Sequence, residues 1–424
     1  MFVGMIILLI ITIGKVGGFT SANKNLEQRY KNVISVSHLE KHVTRIVAET
    51  TNLSADKSKG YFDASMKVSK TVMGDKKIPG SKKIKSILMG ISKIRIEGET
   101  IDSEKYKKIF NKITPYYLQF FILNGVKKGG HQGWNKMPKA QSPIWWVIVS
   151  TIILGVGIGV LAQPQLSVRF MTVKSNRELN RSVLIGGVFI LVMTGVAFVV
   201  GTLSNEFFFK NHNGLSAIGF AGGNTDRIIP FYLKNAMPSW FNYLFLLTLL
   251  SAAMSTLSSQ FHTMGTAISR DIAEATGLVK DKDEVIGKKS ILTAKLGVGV
   301  MIILTLIISF VLPGGVIAAA TAIFFGLCAA SFLPTLIGSL YWKKATKAGA
   351  ITSIVSGFFV TIFWLFFVHA ATLKKLGLKS ILSGSSWANV DPLFIGFPVS
   401  LIIFVAVSLF TKPMDDEHLN KCFK

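Results

Sequence analysis

Apolar residues in this chain gather into long runs rather than alternating singly. Seven runs, at 144–163, 183–203, 240–263, 291–312, 316–341, 350–370 and 393–410, come close to or exceed the ~20 mostly apolar residues that a helix needs to cross a hydrocarbon core. A shorter run opens the chain and ends at Lys15. The pattern predicts about eight transmembrane helices and one long polar segment, 19–142, after the first of them. A segment of that length is too long for a plain connection and predicts some folding of its own. Within it, Leu26–Thr50 reads as a surface helix and Lys85–Glu97 alternates in the manner of a strand. Ser103–Leu123 reads as a helix until Pro115 interrupts it.

Composition agrees with the membrane reading: half of the residues are hydrophobic and the mean hydropathy is +0.48. The opening run lacks the basic start and small-residue cleavage site of a secretory signal. Cys328 and Cys422 give neither a disulfide framework nor metal-ligand spacing. Of the net charge of +25, segment 19–142 carries +14, from 24 Lys/Arg against 10 Asp/Glu. Those charges are spread out and no nucleic-acid motif accompanies them, so the segment reads as a solvated basic surface. The expected surroundings are membrane lipid, with no nucleic-acid partner.

Orientation follows from the short loops, because Lys and Arg favour the cytoplasmic side. With the loop after 144–163 placed inside, the inner loops and the tail carry 15 basic residues against six on the outer short loops. The sequence thus predicts a multi-pass protein of the cell membrane with a cytoplasmic C-terminus. Segment 19–142 becomes an extracytoplasmic insert, since long domains cross largely regardless of charge.

No enzyme chemistry is legible: the seven histidines are scattered, and no nucleophile–base pair, metal set or phosphate loop can be assembled. Gly155, Gly157 and Gly159 inside an apolar run have two readings. They allow close helix packing, or they mark a helix break at a binding site. The segment Leu249–Asp271 is richer in chemistry. Ala252, Ser255 and Thr256 share one helical face, and Ser258, Ser259 and Gln260 follow within a turn. Hydroxyls so placed either bond back to their own or a neighbouring helix, or replace the water shell of a small hard cation such as sodium.

These residues resemble the sodium:solute symporter family, which includes proline, pantothenate and sugar cotransporters. Val16-Gly17-Gly18-Phe19 is similar to the outer end of that family's fifth core helix. Gly157-Ile158-Gly159 through Gln163-Pro164-Gln165 and Arg169-Phe170-Met171 resembles the sixth. Ala253-Met254-Ser255-Thr256-Leu257-Ser258-Ser259-Gln260 with Ser269-Arg270-Asp271 resembles the eighth. Tyr341-Trp342-Lys343-Lys344-Ala345-Thr346-Lys347-Ala348-Gly349-Ala350 matches the inner turn after the tenth. The resemblance implies an all-α integral membrane protein with a partial five-plus-five inverted-repeat transporter fold. Residues 1–18 would be core helix five, 19–142 the insert, 143–341 core helices six to ten, 342–411 two peripheral helices, and 412–424 the tail. It further implies sodium-coupled symport of a small organic solute. A sodium ion would sit at Ala252 (through its carbonyl), Ser255 and Thr256, and Gly157, Gly159 and Gln163 would line the solute pocket.

Two departures are visible. Val156 and Val160 stand where proline carriers have aromatic residues, so proline specificity does not carry over. Nothing corresponds to core helices one to four, so the sodium site is a half-site and the chain is expected to be N-terminally incomplete, part of a longer protein. Two other readings remain open: a symporter-like sensor or binding protein that uses the insert, and a non-functional fragment.

Overall fold

The computed structural model describes residues 2–75, 78, 80–96, 102–163, 166, 172–274, 276, 288–311, 317–370, 372–373, 378–415, 417 and 419, without the side chains of 80–81, 269–270, 273–274, 288–290, 317–319 and 322. The described residues are helical, with no strand among them. Seven helices are long and apolar enough to span a bilayer, or eight if the bent pair α1 (Phe2–Val16) and α2 (Phe19–Val33) counts as one span. The chain divides into two compact units, Met1–Ala140 with Gly186–Phe245 and Gln141–Ile185 with Leu246–Lys424.

In the first unit, α1 and α2 meet at 65° across Gly17 and Gly18. Both glycines have positive φ (85° and 97°), where a side chain would be strained. The Lys210 ammonium donates to the Val16 carbonyl at 2.7 Å, satisfying an acceptor that the bend frees. The expected surface helix at 26–50 is instead parts of two helices, α2 and α3 (Val36–Thr51), because Ser35 stops one and caps the next by accepting from the His38 N–H. Neither is merely superficial: Leu26, Tyr30 and Val33 on α2 and Leu39, Val43 and Val47 on α3 are buried.

α4 (Ala55–Gly74), α5 (Gly80–Ile91) and α6 (Ser103–Lys128) complete a core with α3. The strand expected at 85–97 is not formed. Ile84, Ile87, Leu88 and Ile91 recur at helical spacing and turn one face of α5 to this core, which outweighs the local alternation. Pro115 does not interrupt α6, whose neighbours Ile113, Tyr116 and Tyr117 are buried and hold the helix through the proline. The Thr114 hydroxyl bonds to the Phe110 carbonyl at 2.6 Å one turn back. The unit also contains α8 (Asn176–Asn211) from Gly186 onward, α9 (Ile228–Ala236) and the start of α10 (Ser239–Thr266).

In the second unit, α7 (Pro143–Ala162) changes winding along its length: π from Val147 to Val156, one α turn at Gly157–Gly159, then a tighter 3-10 turn to Ala162. α11 (Lys288–Val311) crosses the end of α10 at glycines, where a Cβ on Gly265 would overlap Val298 and one on Gly297 would lie 3.2 Å from Ile268. α12 (Ile317–Tyr341), α13 (Lys347–Phe363, continued as a π turn to Val368) and α14 (Leu393–Phe410) form a tight trio. Gly338 lies against the Phe404 ring, and Gly357 against the Ala330 backbone. Ser353 donates to the Ser400 carbonyl at 3.0 Å, and Ser400 to the Ala330 carbonyl at 2.6 Å. Small residues and hydroxyls at crossings are the means by which helices associate in lipid.

Candidate functional site

The hydroxyl-rich face of α10 divides into two kinds of residue. Ser251, Thr263 and Thr266 bond back to carbonyls of their own helix, at 2.8, 3.0 and 3.1 Å. Ser255 and Thr256 donate to no described residue, and both are exposed, while Ala252 is half-buried. None of the most apolar window of α10 is buried. The structure therefore keeps the expected sodium ligands on one bare face and brings no second set of oxygens to them among the described residues. No group of three or more His, Cys, Asp or Glu that could hold a metal occurs among the described residues either.

The three residues expected at the solute pocket occupy different settings on α7. Gly159 packs against the Phe325 backbone of α12, so any Cβ there would overlap it, which is the close-packing role. Gly157 is exposed, with open space where its side chain would be. Gln163 is buried and adopts an extended backbone, ending the helix. Winding thus changes within the stretch where a break was expected. Pro164, Gln165 and Arg169-Phe170-Met171 lie outside the described residues, as do the side chains of Ser269 and Arg270. In the 341–350 motif, Thr346 caps α13 by accepting from the Gly349 N–H at 3.1 Å, and Trp342 meets the Phe404 ring edge-on at 5.5 Å.

Two buried carboxylates escaped the sequence reading. Glu206, fully buried on α8, lies 3.2 Å from the Arg29 guanidinium of α2 and 3.6 Å from the Lys210 ammonium. It ties the start of the basic segment to α8. Asp391, just ahead of α14, is 2 % exposed and accepts from Thr151 on α7 at 2.7 Å. A carboxylate directly ahead of three phenylalanines, Phe207 to Phe209, was the available signal for Glu206; nothing local marked Asp391.

In the first unit His38 and His42 stand one helical turn apart with ring centroids 4.4 Å apart, and His42 stacks on Tyr116. Burial, aided by His38, Arg45 and Lys41, holds His42 down to about 4. Burial likewise lowers His38, opposed by its bond to the Gly214 carbonyl.

Multiple long apolar helices and glycine crossings define a multi-pass helical membrane protein. The sequence profile of the sodium:solute symporter family matches residues 85–357. The chain belongs to that family. The match begins inside the segment that reads as an insert. A sodium/proline symporter of Staphylococcus aureus is 27% identical over 259 residues, covering 60% of this chain and 46% of that relative. The sodium/proline symporter of strain Newman is likewise 27% identical, over 260 residues. The chain spans about half the length of these curated relatives, 46%.

Proposed function

We propose that this chain takes part in sodium-coupled import of a small organic solute, with sodium held on one side by the Ala252 carbonyl and the Ser255 and Thr256 hydroxyls. The observation that carries this reading is the contrast along α10. Ser251, Thr263 and Thr266 are occupied by their own helix, whereas Ser255 and Thr256, the two that the family resemblance singles out, and the exposed Ser258 beside them bond to no described residue. Hydroxyl oxygens left without a partner on a membrane helix are costly. A hard cation supplies that partner through their oxygens.

In this reading the Gly157–Gln163 end of α7 faces the solute, with Gly157 open to it, Gln163 at the helix end and Gly159 as the close contact about which α7 meets α12. Residues 1–18 act as core helix five, 143–341 as core helices six to ten and 342–411 as two peripheral helices, with segment 19–142 outside and tail 412–424 inside. Sodium entry is driven by its gradient and by the membrane potential, worth about 2.3 kcal/mol per charge per 100 mV. Coupling requires that sodium bind one conformation better than the other.

Radioactive sodium binding to the purified protein in lipid nanodiscs tests the assignment. Ser255→Ala and Thr256→Ala should each weaken binding about tenfold, equivalent to about 1.4 kcal/mol, while Ser251→Ala leaves it unchanged. Equal sodium binding in all four proteins sinks the site.

A further inference from the structure

Asp391 sits where four helical segments of the second unit meet. Its Oδ2 accepts from the Thr151 hydroxyl at 2.7 Å, and its Oδ1 from the Leu393 N–H at 3.0 Å. Its own N–H donates to the Ser150 hydroxyl oxygen at 3.3 Å, and that hydroxyl donates to the Trp146 carbonyl at 2.5 Å. The Trp364 indole at the end of α13 donates to the Val390 carbonyl at 3.1 Å. On α12, a Cβ added to Gly326 would lie 3.1 Å from Oδ1, so the absence of a side chain there leaves room for the carboxylate.

Helix capping accounts for only part of this. The bond from Leu393 N–H is an ordinary start-of-helix contact that Asn or Ser would make as well. Capping does not require the grip on Ser150 and Thr151. Neighbouring residues on a helix point in clearly different directions, about 100° apart in an α-helix and somewhat less in a π-wound one. One residue that holds both therefore fixes the rotation of α7 about its axis as well as its height. Both lie in the π-wound stretch, within two turns of Gly157.

We propose that Asp391 is a positioning residue that sets the rotation of α7, and that protonation of its carboxylate releases Thr151 and frees the Gly157–Gln163 end to turn. The inference rests on the reading that this end of α7 faces the solute. The ionised carboxylate accepts from two donors, Thr151 and Leu393; once protonated it carries a donor of its own and holds them less well. No cation neutralises it among the described residues that touch it. On the packed elements, the described titratable or charged side chains are Cys328 two residues from Gly326, His369 beyond Trp364, and Tyr341 and Lys347. The last two stand about four turns along their helices from the contact points.

The test uses the full chain with Cys328→Ser and Cys422→Ser, a single reporter thiol from Gly157→Cys, and N-ethylmaleimide as the probe, without sodium or solute. Thiol reactivity itself rises with pH, so each rate is expressed relative to the Asp391→Asn protein at the same pH. Near neutral pH the parent should label at a rate that differs about fivefold from that of Asp391→Asn, and the ratio should approach one as the pH falls and Asp391 takes up its proton. Thr151→Val should match Asp391→Asn, and the double variant should add nothing further. A ratio that does not change with pH, or a Thr151→Val protein that labels like the parent, overturns the proposal. If Asp391→Asn does not fold, Thr151→Val serves as the reference under the same criteria. Absence of labelling at every pH refutes the solute-facing reading of α7. The grip is then judged by hydrogen exchange of residues 147–156, which must show a pH step that Thr151→Val removes. The sodium-binding test can fail while this one succeeds, because no ion enters it.

Discussion

The interior formed by α3 to α6 is filled by large side chains: Tyr61, Phe62, Ile87, Ile109, Ile113 and Tyr117 are nearly or fully buried. Where α12, α13 and α14 cross, the contacts fall instead to Gly338, Gly349, Gly357, Gly396 and Ala330. The solvent explains the contrast. In water, burying a large apolar side chain is itself the driving force, about 25 cal/mol per Å². Between helices in lipid that force is absent, so association depends on close backbone approach and on hydroxyls such as Ser353 and Ser400 bonding across. One chain thus uses two packing rules, and α10 obeys neither along its bare face.

Opposite substitutions should break the two regions. Tyr117→Ala removes a fully buried ring from the water-type core and should cost about 4 kcal/mol. The readout is hydrogen exchange, with protection lost in α3 and α6 and retained in α12–α14. Gly357→Leu should destabilise the trio by about 3 kcal/mol. Its Cβ would overlap Ala330 backbone atoms, which cannot swing aside as a side chain could. A lowered melting temperature in detergent checks this. The smallest effect sharpens the comparison through pH. His42 is held down to about 4 from an ordinary 6.5, so the unfolded chain takes up a proton that the folded form refuses. Stability of the α3–α6 core should therefore be full above about pH 6.5, fall as pH drops toward about 4, and change no further from this source below that. His42→Gln should flatten the dependence in hydrogen exchange and leave the pH response of the trio unchanged.

Span existence was legible because bilayer thickness imposes a length that few soluble segments meet: the runs read at 291–312 and 393–410 appear as Ile291–Val311 and Leu393–Phe410. The ends of α8 were not legible. The apolar run covers 183–203, yet the helix extends from Asn176 to Asn211, because polar residues continue it outside the apolar stretch. The strand reading of 85–97 failed for a related reason, since a short apolar alternation does not decide between helix and strand until its packing partners are known. Ser255 and Thr256 were visible as an unusual pair of hydroxyls. Asp391 was not, because its burial comes from residues about 240 positions away in sequence at Ser150 and Thr151.

The diglycine bend after Val16 also has a consequence for the lipid around the protein. It turns the chain by 65° between two helices, so α1 and α2 cannot both run along the bilayer normal. Whichever of them slants across the lipid displaces chains or headgroups on one side, at a cost that depends on the thickness and packing of the leaflet. Leaflet composition is therefore a variable to which the region around Gly17 and Gly18 responds.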